Sequence, residues 1–576
     1  MFAQPEVLPD FDQKVLLRKR IRDIDCFRML GLAIVLLAMP LFASAADQPT
    51  LEGLIERGLE IKPEPRVEEG YLAAAGGYKE LLGELGIIEY SDLSLDDQVD
   101  YDLFSAYLRT RIYEYEELQL FKLIPVSYIN LSATSRLFLR PEANSIAAAK
   151  EAIEELGKLE QLLANARENL TTPARTWTEN AIYQCYYAKL LLREYAPNVA
   201  IPDEDVKREF KAAAKDALPV VIQFEKWLEA ELLPRSTRSP SWTVEQIDAY
   251  QVGKEMLDDY PAKNMLRVAE EDAVVTRREM EDLAKLIHPS GDLRTVWEAM
   301  KDEAPPWEGV LPMAQSFVDI TTDWLQNEGS HVVTIPDYID YGARISPPMA
   351  RRILSFGGAT RGPNLAGRQS GYYILTPLED RLTDEEKASR IRSYNPYWTH
   401  VISYHEWLGH NVQIAAAAEH VKRPIRSAYN SAYLSQAWSF YLEKLLPDEG
   451  YYDDRFDYVT GLKTHMGRLQ MRMWRVQRII TKVRMAMGDM TFDEAVQIYI
   501  DEIGMEPANA FIEVQRDSQS PSPPGREIIG ELVIEEMRAE YARRMGSHYS
   551  MKKFHDTFLT YGPIPFKQIR RLMFEQ

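Results

Sequence analysis

One short run of the sequence carries residues able to do metal chemistry: Ser403-Tyr404-His405-Glu406-Trp407-Leu408-Gly409-His410-Asn411-Val412-Gln413. Zinc requires neutral imidazole nitrogens that converge on one point, with a carboxylate beside them able to take a proton from water. His405, Glu406 and His410 supply all three groups. With nine histidines in 576 residues, only ~0.02 to 0.03 His-Glu pairs followed by His four or five positions later are expected by accident, so the pattern points to function. The other histidines, at 288, 331, 400, 420, 465, 548 and 555, lie outside any such pattern and are read as structural.

The separation of five residues between His405 and His410 has a geometric consequence. On a regular α-helix five steps turn ~500°, which leaves the two rings well apart around the axis, whereas four steps leave them nearly aligned. A one-residue π-type bulge realigns them, and Gly409 suits such a bulge. The motif therefore binds metal only on a locally widened helix.

The elements that must position this run are helical. In Ala149 to Leu170 the residues Ile153, Leu156, Leu159, Leu162 and Leu163 fall mostly three and four apart, which predicts a core helix. Similar periodicity runs through Ser94 to Phe121, Asp203 to Leu233, Ala269 to Ile287, Val310 to Leu325 and Phe456 to Met487. The fold is expected to be mainly α. Gly342 to Pro377, rich in Gly and Pro and containing Tyr372-Tyr373-Ile374-Leu375-Thr376, reads as loop plus one or two strands. Thr383-Asp384-Glu385-Glu386 is a capping box that starts a helix, and a further helix, carrying the histidines, starts after Pro396. Asp517 to Gly525 (DSQSPSPPG) must be a loop. We divide the chain into a signal segment, 1–45, and one large body, 46–576, with an N-terminal helical part about 46–340 and an active-site part about 341–576.

The 67 basic and 88 acidic side chains give a net charge of −21, which repels a phosphate backbone and an anionic lipid surface. Nucleic acid is not an expected partner, and the sequence has neither a GxxxxGK[ST] phosphate cradle nor a GxGxxG fingerprint opening a helix. The apolar run Met29 to Ala46 follows Lys14, Arg18, Lys19, Arg20, Arg22 and Arg28 and closes on Ala43-Ser44-Ala45, the grammar of a cleaved export signal. A single membrane anchor is the competing reading, which Pro40 within the run disfavours. The expected location is periplasmic or extracellular, with no stable membrane insertion after cleavage. Of two cysteines, Cys26 leaves with the signal and Cys185 cannot form an intrachain bridge alone, so a metal site has to use His, Asp and Glu.

Several further stretches carry a family resemblance. Leu93-Ser94 with Asp96-Asp97-Gln98-Val99-Asp100-Tyr101-Asp102-Leu103 looks like an LSxxDxxDxxLL helix, and Gly371-Tyr372-Tyr373-Ile374 looks like a strand ahead of an active helix. His405 to Gln413 matches HExxPGHxLQ with one residue fewer, and Tyr433 to Leu445 looks like FxEGWALYxExL. Pro524-Gly525 and Phe554-His555-Asp556 fit PGQ and FHD elements. From about Leu51 onward the chain thus resembles the bacterial family catalogued as domain of unknown function 885, whose members look like exported zincin-type metallopeptidases with a mainly helical cleft. The resemblance implies that a glutamate in the EGW element is the third zinc ligand. Here that position is Gln436, a poorer ligand. Glu443, two helical turns on and nearly aligned, is the alternative ligand. Three more positions depart from the family: Arg526 stands for its Gln, Ala486 for the His of its RLH, and Gly530 for a Tyr after PGQ.

Together these observations lead us to expect a zinc-dependent peptidase. His405, His410 and Glu443 hold the metal, and Glu406 is general base for the water the metal binds. Tyr372 and Tyr373 lie on a strand that could align an extended peptide. The alternative is a catalytically inactive homologue that keeps the cleft as a peptide-binding or interaction module, the reading that Gln436, Ala486 and Gly530 favour. The partner is a peptide or protein in either case, and the sequence leaves the oligomeric state open.

Overall fold

The computed structural model describes residues 49–575, apart from 140, 142–143, 338, 352–355, 360–368 and 454. The expected signal segment lies outside the described residues. Among the described residues no helix is long and apolar enough to cross a membrane.

Among the described residues helices dominate, and one small sheet interrupts them. The expected helix at Ala149 to Leu170 is two helices, Ile146–Gly157 and Leu159–Asn169, which meet at Lys158. The long runs expected near 94–121 and 203–233 are helices Leu95–Ile112 and Glu204–Trp227, each continued by a π-turn. Two apolar cores form. One draws on residues 128–232 with Met349; the other joins residues 54–118 to the chain from Trp242 to Leu572, with Ala174 and Trp177. The first helices therefore pack with the last. Asp102 of helix Leu95–Ile112 accepts from Arg571 Nη1 of the last helix at 2.8 Å, and buried Asp100 accepts from Arg423 Nη1 and Arg426 Nε, both at 2.7 Å.

We label only the elements that bear on the site. Helices α1 (Ala262–Ile287) and α2 (Trp307–Gln326) precede the strands β1 (Ile339–Ile345), β2 (Gly357–Ala359) and β3 (Gln369–Leu375). The strand order is β1-β3-β2, with β3 parallel to β1 and antiparallel to β2. Tyr372, Tyr373, Ile374 and Leu375 are all buried, which fits their place on the central strand. The capping box at Thr383 forms as expected, with Thr383 and Glu386 capping each other. Helix α3 (Pro396–Tyr404) starts at Asn395, whose side chain accepts from the Trp398 N–H, with Pro396 at the first helical position.

After a π-turn, discussed below, the chain resumes as α4 (Gln413–His420), followed by α5 (Ala432–Asp448), α6 (Tyr458–Met487), α7 (Pro507–Ser518) and α8 (Ile528–Met545). The 30-residue α6 is the spine: it packs along α1 and against α3. Unusually for so buried a helix, it carries Arg475, Arg478 and Lys482 inward. Lys482 Nζ donates to the carbonyls of Asp517, Ser520 and Ser522, and so holds the expected Pro-rich loop on α6.

Candidate active site

The helix that carries the motif is widened where the extra residue requires it. His405 to Val412 is a π-helical segment between α3 and α4. Widening leaves backbone groups to be satisfied, and Asn411 does part of this by donating its Nδ2 to the Glu406 carbonyl at 3.0 Å. Asn411 has room because β3 presents Gly371 there: a Cβ on Gly371 would lie 2.1 Å from Asn411 Cγ. Gly409 has a parallel role on the other side. A Cβ on Gly409 would lie 2.6 Å from the Ser439 Cα, so the widened turn rests directly on α5.

This geometry brings the two imidazoles together. Their ring centroids are 5.0 Å apart, and one candidate ligand atom from each of His405, Glu406 and His410 lies within 4.8 Å of the others. His405 Nδ1 bonds Glu443 Oε1 at 2.7 Å, and His410 Nδ1 bonds Ser435 Oγ at 3.2 Å. On each ring this leaves Nε2 as the nitrogen for a metal, with the other nitrogen tethered in the manner of second-shell partners. Burial, then the nearby Arg475, holds His405 well below its ordinary pKa, which keeps the imidazole neutral as ligation requires. Burial likewise raises Glu406 to about 7. Its Oε2 lies 3.8 Å from His410 Nε2.

Not every expected site residue sits where the sequence suggested. Glu443 does not line the cavity; it is bonded to His405 Nδ1 and to Arg475 Nη2 at 3.3 Å, so it tethers the His405 ring rather than joining the cluster. The helical alignment with Gln436 is real, but it places Glu443 two turns deeper along α5. Gln436 itself lines the cavity. Tyr372 and Tyr373 do not: Tyr372 stacks against the Arg344 guanidinium at 3.6 Å, and Tyr373 is fully buried. β1 pairs along β3 on one side, and β2 pairs with Tyr373, Ile374 and Leu375 on the other, so that part of β3 has no open edge. The strand that faces the cavity is the edge strand β2, through Gly357, Gly358 and Ala359.

Of the departures from the family pattern, two leave the cavity untouched. Ala486 borders a separate surface groove with Val244 and Pro261. Gly530 lets α8 lie on α5, since a Cβ there would meet the Ala437 Cβ at 2.2 Å. The sequence reading missed the opposite wall, which carries Trp474, Arg475, Arg478, Arg516 and Arg526. A signal for it existed: charges three and four apart, Arg472, Arg475, Arg478 and Lys482, on a helix otherwise patterned for burial.

The fold and this site define a helical protein with a small sheet over a histidine-bearing π-turn. The chain belongs to the family described as bacterial protein of unknown function (DUF885), whose model matches residues 64–573. It is similar in structure to a candidate lipoprotein of unknown function from Shewanella oneidensis, at 18% identity and a TM-score of 0.67, over 91% of this chain and 96% of that one. A candidate lipoprotein from Colwellia psychrerythraea is similar at the same identity and TM-score, over 88% of this chain and 90% of that one. No curated protein matches.

Proposed function

We propose that this chain is an exported zinc-dependent peptidase. One observation carries the reading: the π-turn gathers His405, Glu406 and His410, with both Nδ1 atoms already engaged by Glu443 and Ser435. In a tetrahedral shell with ~2.1 Å bonds, donor atoms sit ~3.4 Å apart. Separations of up to 4.8 Å therefore call for a modest drawing-in of side chains, and the donor set fits a zinc ion held by His405 Nε2 and His410 Nε2. Gln436, on the same cavity wall, offers a neutral oxygen as third donor. A bound zinc supplies Lewis acidity, which makes water a nucleophile near neutral pH and polarises a carbonyl oxygen.

The chain's own residues do the rest. Glu406 takes a proton from the attacking water and returns it to the departing amine. Glu443 fixes the orientation of His405. The edge strand β2 pairs with an extended peptide by backbone hydrogen bonds, as in strand addition. Export is supported by the basic stretch and apolar run before residue 46.

The test is to purify the chain without chelators, count zinc, and compare peptide hydrolysis with that of Glu406→Gln. Zinc near one per molecule, with hydrolysis lost in the variant, supports the peptidase. Absence of zinc, or equal traces of hydrolysis in both proteins, favours the binding module, the reading to which Gln436 lends weight.

A further inference from the structure

Four arginines, Arg475, Arg478, Arg516 and Arg526, line the same cavity as the histidine turn. The same lining carries the carboxylates Glu406, Glu513 and Asp517, so what matters is which arginines the acids already occupy. Not all four are available to a ligand. Glu513 Oε2 accepts from Arg478 at 3.0 Å and from Arg516 at 2.6 Å, and Glu527 Oε1 accepts from Arg478 at 2.6 Å. Asp517 lies 3.6 Å from Lys482 Nζ. Those carboxylates are committed.

Arg475 and Arg526 differ. Arg475, whose side chain is 6% exposed, makes one long contact to a carboxylate, 3.3 Å to Glu443 Oε1, and that oxygen already serves His405. Its Nη1 turns to the carbonyl and sulfur of Met471 within its own helix. Among the described residues no atom accepts from its buried Nε. The guanidinium stacks on Trp474 at 4.5 Å, which fixes the plane of the fork. Arg526 likewise has a buried Nε without an acceptor among the described residues. A buried guanidinium edge without an acceptor is unfavourable, and its paired N–H groups match a planar carboxylate.

We propose that Arg475 and Arg526 form a carboxylate subsite for the free C-terminus of a peptide. The substrates are then peptides with an unblocked C-terminus, cut within a few residues of that end. The cleavage half of this statement rests on the peptidase reading; the binding half does not. Proximity follows from size: the cavity that holds both walls is about 420 Å³, in the range of small-ligand pockets and too small for a long peptide segment between them.

Full-length Glu406→Gln protein, which leaves the peptide intact, is titrated by calorimetry with three probes. These are acetyl-tetra-alanine with a free C-terminus, its amide, and an amidated analogue ending in glutamate. The free acid is expected to bind at least tenfold more tightly than either amide. That preference is expected to drop below threefold when Arg526→Gln is added, a change to the residue the family carries there, and also with Arg475→Gln if that protein folds. Equal binding of acid and amide overturns the subsite, as does a glutamyl amide as tight as the acid, no binding of any probe, or a preference that Arg526→Gln leaves intact. If the unmodified chain holds no zinc and cuts nothing while the acid preference persists, the peptidase reading fails and the subsite stands.

Discussion

At the scale of single residues, the site is decided by which nitrogen of each imidazole is already occupied. His405, Glu406 and His410 were legible because residue type and spacing alone define the motif. Glu443 was legible as an acid close to the site, but not in its role, because helical spacing gives a face of α5 and not the side of a ring. Its carboxylate on His405 Nδ1 leads to a prediction: Glu443→Gln weakens zinc binding 10- to 100-fold, the usual cost of losing an outer-shell partner, in a chelator competition titration. Gln436→Glu acts in the opposite direction. It places an anionic oxygen on the cavity wall and tightens zinc at least tenfold in the same titration. A third prediction concerns a histidine read as structural. Buried His555 donates Nδ1 to the Val332 carbonyl at 2.7 Å, and its Nε2 faces the Tyr441 hydroxyl at 3.0 Å. Burial lowers its pKa from 6.5 to about 4. The unfolded chain therefore binds a proton that the folded chain refuses. Stability from this group is complete above pH 6.5 and is lost as pH falls towards 4, by about 1.4 kcal/mol per pH unit. His555→Gln, which retains a donor and an acceptor, flattens the pH dependence of metal-free stability by that slope, as measured by denaturant unfolding between pH 4 and 6.5.

At the scale of elements, the periodic helices and the capping box were readable, whereas β2 was not. Gly357-Gly358-Ala359 has no strand-forming side chains and is a strand only because β3 pairs with it. For the same reason β2 lines the cavity where Tyr372 and Tyr373 do not: sequence shows a strand-forming run but not which neighbours flank it. The break at Lys158 was hidden because the apolar spacing continues across it. The π-turn, by contrast, was dictated by one surplus residue, and its contact with α5 sets its tolerance. In Gly409→Ala the added methyl meets the Ser439 backbone, and α5 and the turn must separate. The variant is expected to lose about 1–3 kcal/mol or more of stability, the cost of overpacking. Its zinc content falls as well, because His405 is tethered to α5 through Glu443 and His410 through Ser435. Thermal unfolding and zinc counting on the same preparation check both. Unchanged zinc in a destabilised protein would mean that the turn holds its shape without α5.

At the scale of the whole molecule, two electrostatic fields oppose each other. The six acidic and six basic side chains before residue 49 cancel, so the charge of −21 belongs to residues 49–576. At long range this body repels an anionic peptide. On the proposal of a carboxylate subsite, Arg475 and Arg526 attract the C-terminus of the same peptide inside the cavity, from a buried position that salt screens little. Screening length separates the two: it is ~30 Å at 0.01 M salt and ~8 Å at 0.15 M. Adding salt should therefore remove the repulsion that slows approach while leaving the contacts that hold the bound peptide. For a peptide of net charge −2 and a free C-terminus, the association rate constant is expected to rise several-fold between 0.01 and 0.15 M salt in stopped-flow binding, with the dissociation rate changing less than twofold. An association rate that falls with salt would mean that the field at the cavity mouth follows the arginines and not the body. The steering would then have to come from the guanidinium groups themselves, and Arg526→Gln would slow approach as well as weaken the complex.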